Sequence, residues 1–224
     1  MEKLILSLII CLFFQIKIEA QIDKPNPHLS GGLNLGYNGG FGVQGNLSIS
    51  DFALDFPLSI RIGLGYTIVD PGNPVKAREI FINDATNGVP EESGRFWDLR
   101  MDFLYPVKIF NLKRAYLYGG PRYSLFSGDF NFVDGNEFFT ISSNQWGIGL
   151  GSEASFLLSE RFDFVVTAGF DYYFLGTIEG HDTAYQPDGE IISGREDFTY
   201  KDADNAINQP KFIGKAMMGF NYHF

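Results

Sequence analysis

Past residue 20 the chain has no cysteine. The one cysteine among 224 residues is Cys11, inside an apolar run near the start. A disulfide framework and a thiolate nucleophile are therefore excluded from the rest of the chain. Long apolar runs are also missing after residue 20, where nothing approaches the roughly 20 residues that a membrane helix needs. The histidines are His28, His181 and His223, far apart in sequence. Without cysteine they form no nitrogen/sulfur ligand cluster, so no metal site and no cofactor are expected. Basic charge is scarce: 17 Lys and Arg face 27 Asp and Glu, a net charge of −10. A nucleic-acid partner would need a basic face, and none is available.

The chain is rich in aromatics and glycine, with 23 Phe, 11 Tyr and 26 Gly. Residues 1–20 read as a secretory signal. Lys3 gives a weakly basic start, Leu4–Phe14 is apolar but too short to span a bilayer, and Ala20 is a small residue before Gln21. Residues 21–224 then form one domain. Within it the dominant signal is period-two alternation. It places eight strands at Leu29–Tyr37, Phe41–Ser50, Leu58–Thr67, Phe96–Tyr105, Ala115–Phe126, Thr140–Phe156, Phe162–Phe174 and Lys211–Phe224. In the fourth, Trp97, Leu99, Met101, Phe103 and Tyr105 share one face, and Asp98, Arg100 and Asp102 share the other.

The connections alternate in length. Asp51–Pro57, Pro106–Arg114 and Leu157–Arg161 are short. Val69–Arg95, Ser127–Phe139 and Leu175–Pro210 are longer, and Asn38-Gly39-Gly40 is a tight hairpin. Short turns at one end and long loops at the other is the layout of outer-membrane barrels. The apolar phase is too bulky for the interior of an eight-stranded barrel. The polar phase carries many glycines, such as Gly63, Gly65, Gly149 and Gly169, which a crowded interior needs. The apolar face therefore meets lipid. The expected fold is all-β: a transmembrane antiparallel up-and-down barrel of eight strands with a polar, filled lumen.

The inward phase holds Arg61, Arg100, Arg122 and Lys215 against Asp98, Asp102, Glu153 and Asp171. Buried charges must be paired, and the expectation is a structural network of ion pairs. Strand heights suggest Arg61 with Asp102, Asp98 with Arg122, and Asp171 with Lys215. His28-Leu29-Ser30 has a His-x-Ser spacing, but it opens the first strand at the periplasmic end, away from an outer-leaflet substrate. Gly147-Ile148-Gly149-Leu150-Gly151 lies within a strand with no helix after it, so it reads as lumen glycine and not as a phosphate loop. The segment 175–210 carries eight acids against two bases. Neither Asp134-Gly135-Asn136-Glu137 nor Asp202-Ala203-Asp204-Asn205 completes an EF-hand loop, and a solvated acidic loop is expected. Its Tyr185, Phe198 and Tyr200 are candidate anchors for a partner.

The last strand carries Phe220, Tyr222 and Phe224 at alternate positions. This resembles the C-terminal signature of outer-membrane proteins, which the barrel assembly machinery reads. Signal, strand number and size resemble the OmpA/OmpX-type barrel, with no periplasmic peptidoglycan-binding domain expected after the last strand. Tyr116-Leu117-Tyr118-Gly119-Gly120-Pro121-Arg122-Tyr123 resembles the PorT-like barrel family. The resemblance implies export to the Gram-negative outer membrane, with lipid, lipopolysaccharide and other envelope proteins as partners. The fold does not choose a function. The expectation is a non-enzymatic interaction protein or a subunit of a larger secretion or assembly complex. The alternatives are a lipid-modifying enzyme of lipid A deacylase type and a narrow small-solute channel.

Overall fold

The computed structural model describes residues 26–83, 87–108, 114–135, 137–192 and 197–224. The expected signal, Cys11 and the cleavage position at Ala20 lie outside them. Eight long antiparallel strands close into a barrel: β1 His28–Asn38, β2 Phe41–Ser50, β3 Ser59–Val69, β4 Val89–Val107, β5 Arg114–Val133, β6 Glu137–Leu157, β7 Phe162–Tyr173 and, last in the chain, β11 Phe212–His223. Each pairs with its sequence neighbour, and β11 closes the ring against both β7 and β1. Closure leaves no free edge within the ring, and lipid tolerates none. Leu33, Leu64, Leu99, Leu150, Phe170 and Phe220 face outward and are exposed, as a lipid-facing wall requires.

A membrane strand needs about 9–11 residues. β4, β5 and β6 have 19, 20 and 21, so roughly half of each projects beyond the barrel. The region expected as a loop at Ser127–Phe139 is thus largely strand, and the one at Val69–Arg95 ends in strand from Val89 onward. β3 stops opposite Gly94 and β7 stops opposite Gly147, and the projecting part forms a sheet of its own. Three two-residue strands extend it from β6: β8 Ile178–Glu179, β9 Ala184–Tyr185 and β10 Ile191–Ile192.

Two helices cover one face of this sheet. In α1, Pro74–Phe81, Asn73 caps the first turn by accepting from the Lys76 N–H at 3.0 Å, and Pro74 opens it with a preset φ. In α2, Tyr200–Ala206, Thr199 and Asp202 form a reciprocal capping box. Ala77, Ile80, Phe81, Phe130, Phe132, Phe139, Ile178, Tyr185, Ala203 and Ile207 form one buried apolar cluster, which continues down to Phe96, Phe126 and Ile213 at the barrel mouth. The 175–210 segment expected as a solvated acidic loop is solvated only in part: Glu179, Asp182, Asp188 and Glu190 are exposed, but Ile178, Tyr185 and Ile207 are packed. Tyr185 is fully buried, with its ring 5.4 Å edge-on to Phe81, and its hydroxyl donates to the Ile80 carbonyl at 3.2 Å. It anchors the chain to itself and not to a partner. Outer-membrane barrels carry long connections outside and short turns in the periplasm; the cap lies at the long-connection end and the short 51–58 and 158–161 turns at the other, named the periplasmic end.

Candidate functional site: a closed lumen under an ordered cap

The pleat decides what the lumen receives. Alternate residues of β3 to β7 and β11 bring Arg61, Asp98, Arg100, Asp102, Arg122, Glu153, Asp171 and Lys215 inside, all buried. Their side chains need room in a narrow barrel, and the register supplies it from glycine. Gly63 stands opposite Arg100, Gly65 opposite Asp98, Gly147 opposite Arg122 and Gly149 opposite Asp171. A Cβ at Gly149 would fall on both Arg122 and Asp171.

The partners differ from those that strand height suggested. Arg61 is level with Asp102 on the next strand, yet it reaches across the lumen to Glu153 with two bonds of 2.6 and 2.7 Å. Asp98 is held by Arg100 of its own strand at 2.7 Å and by the Asn38 amide at 3.4 Å, not by Arg122. Arg122 donates to Asp102 at 2.6 Å and to Asp171 at 2.8 Å. Asp171 also accepts from Arg100 at 2.9 Å, so two arginines share it and Lys215 does not. Lys215 donates to Gln44 instead. Height failed as a guide because inward side chains in a closed ring cross the axis as easily as they meet a neighbour.

Arg122 has a second task. Pro121 brings no N–H to the β4–β5 ladder, and the register shows no pairing of Met101 and Asp102 with Pro121 and Gly120. The Arg122 guanidinium donates to the Met101 carbonyl at 3.4 Å and to that of Pro121 at 3.0 Å. It thereby serves the backbone where the proline interrupts the pairing. The proline and the arginine are adjacent in sequence, a signal that the alternation pattern did not use.

His28 is exposed at the start of β1, with Ser30 two residues on. Asp163 binds His223, and not His28, at 2.9 Å, and it also accepts from Arg114 at 2.8 Å; His223 is the cross-strand partner of Ser30, at the same end of the barrel. Among the described residues no group of three or more His, Cys, Asp or Glu is placed to hold a metal ion. Gly147, Gly149 and Gly151 lie within β6 and give up their side-chain space to lumen residues, Tyr118 among them. Phe220, Tyr222 and Phe224 fall at the periplasmic end, where Tyr222 packs on Phe162 and Phe224 at ring separations of 5.1 Å.

The cap has two surfaces of its own. Its outer sheet face is polar near the membrane, where Asp129 accepts from Arg95 at 2.6 Å and Thr140 at 2.8 Å. At the tip it turns apolar. Val89 pairs with Val133, Phe138 lies on the next strand, and Val89 and Phe138 are both 66% exposed. The Arg78 side chain passes beneath the tip, stacked 4.7 Å over Phe132 and ion-paired to Glu137.

No family model and no curated protein matches this chain. Solved structures do. A major outer membrane protein from Thermus thermophilus shares 28% identity at a TM-score of 0.71, over 89% of this chain and all of that one. CarO2 of Acinetobacter baumannii is 13% identical at a TM-score of 0.45, over 89% of this chain and 100% of its own. Neisserial surface protein A is 12% identical at 0.36, over 88% and 96%. The closed ring, the apolar lipid-facing wall and the likeness to the Thermus protein define the class: an integral β-barrel protein of the outer membrane.

Proposed function

We propose that this barrel is not an enzyme and acts by contact, its outward cap holding a protein partner as an envelope interaction protein or as a subunit of a larger outer-membrane assembly. The observation that carries this reading is the apolar tip of Val89, Val133 and Phe138 on a cap that has its own buried core. Clustered apolar side chains in water mark an interaction surface, and a rigid scaffold limits the ordering cost of using them. The buried ion pairs and the apolar cluster over the barrel mouth support a structural lumen and disfavour the channel reading. The position of His28 and Ser30 at the periplasmic end disfavours the lipid A deacylase reading. Strand number supports an OmpA/OmpX-type barrel, and the 116–123 segment a PorT-like one. Export by a signal cleaved after Ala20, insertion by the assembly machinery through Phe220, Tyr222 and Phe224, and contact with lipopolysaccharide complete the reading.

The test is co-purification in mild detergent from native membranes. Phe138→Ser with Val89→Ser should keep a folded barrel and lose the partner that wild type retains. Retention of the same partner by the double variant refutes the tip as the contact.

A further inference from the structure

Where the cap meets the barrel rim, an outward cleft of about 450 Å3 opens between the β1–β2 hairpin and the segment joining α2 to β11. That lies within the roughly 300–1,000 Å3 of small-molecule sites. Its walls are fixed by backbone bonds. Gly72 bridges Ile207, Asn73 N–H donates to the Ala206 carbonyl at 2.8 Å, and Asn208 N–H to that of Pro71 at 3.0 Å. The cleft has three kinds of lining. The floor is apolar and buried, as at Ile207 and Ile213. The outer wall exposes Asp70, Asn205 and Asn208, and the membrane side ends on the rings of Tyr37 and Phe212, the latter 67% exposed.

Charge narrows the ligand. The cation of the cleft, Lys211, is held by Asp204 at 2.8 Å, and Asp70 leaves the lining with a net negative charge. A phosphate or carboxylate would find no free cation. Two exposed amides and a carboxylate suit hydroxyl groups, which both donate and accept. Two aromatic side chains line the same cleft, Phe212 with one face stacked on Phe170, and suit the apolar C–H face of a sugar ring.

Gly214 is an independent sign that the space is kept open. It lines the mouth on the lipid-facing phase of β11, and a Cβ built there meets nothing within 4 Å. A strand interior gains from a side chain, and no packing neighbour here forbids one. The missing side chain leaves the entrance clear.

We propose that this cleft binds a neutral saccharide, from an outer-leaflet glycolipid or free in solution. It is separate from the apolar tip, so either reading can fail alone. The experiment places the full barrel in phosphatidylethanolamine nanodiscs. One arm adds neutral oligosaccharide released by mild acid from outer-membrane glycolipid, read by saturation-transfer NMR. The other incorporates the intact glycolipid and reads retention by native mass spectrometry. Wild type should bind saccharide. Gly214→Leu, whose Cβ meets no neighbour within 4 Å, should abolish binding at unchanged melting temperature. Asn208→Ala should weaken it about five-fold, as expected for one lost hydrogen bond. Tighter retention of the intact glycolipid assigns the lipid-borne sugar; equal affinity in both arms assigns the free one. Absence of binding in both arms by a folded barrel overturns the proposal. So does binding unchanged in both variants.

Discussion

Replacing Arg122 by Met would remove a buried guanidinium while keeping most of its volume. Asp102 then loses the arginine that binds it, and Asp171 keeps only Arg100. Breaking a buried pair by deleting one partner costs about 3–5 kcal/mol, and the Met101 carbonyl loses a donor beside Pro121. With a urea dependence of about 2 kcal/mol per molar, the unfolding midpoint should fall by about 2 M. The informative step is the second substitution. Asp102→Asn on the Arg122→Met background removes the orphaned charge and should restore about half of the loss. Asp98→Asn on the same background should restore nothing, because Asp98 is held by Arg100 and Asn38. Rescue by Asp98→Asn, with none by Asp102→Asn, would refute the network described.

Phe81→Ala should cost the cap roughly 3–5 kcal/mol, as for a buried phenylalanine; limited proteolysis of intact cells should then nick residues 175–210 while the membrane barrel keeps its heat-modifiable mobility on gels. Asp188→Cys should react with an impermeant maleimide on intact cells, and no labelling of a folded barrel would reverse the topology. The Thr199 hydroxyl, donating at 2.6 Å, holds the Asp202 carboxyl below its ordinary 3.8. A depressed carboxylate stabilises above its unfolded value and loses that contribution as pH falls through the folded one. Amide exchange in α2 should therefore quicken below about pH 4, and Asp202→Asn should remove the pH dependence. Deleting Phe224 should lower the yield of folded barrel; wild-type yield would argue against the assembly role of the terminal aromatics.

The barrel was legible because lipid on one side and a narrow lumen on the other impose strict alternation. Trp97 to Tyr105 and Phe212 to Phe224 show it plainly. The cap was not legible. Val89 to Gly94 reads Val-Pro-Glu-Glu-Ser-Gly, an edge protected by proline and acids, with no alternation to betray a strand. The other half of the cap core comes from single residues, Ile178, Tyr185 and Ile207, carried by two-residue strands and an isolated bridge. These are tertiary choices without local period. The eight lumen charges could be named from phase, but their partners could not. Arg61 to Glu153 crosses from the third strand to the sixth, and only the closed ring brings those strands face to face.

Photo-crosslinking in living cells tests the central claim most directly. A photoreactive side chain at Phe138 on the cap tip is compared with one at Asp55 on a periplasmic turn. The account predicts a discrete protein adduct from position 138, absent when Val89 is also changed to Ser. Adducts from position 55 alone, in a barrel shown to be folded, would contradict it.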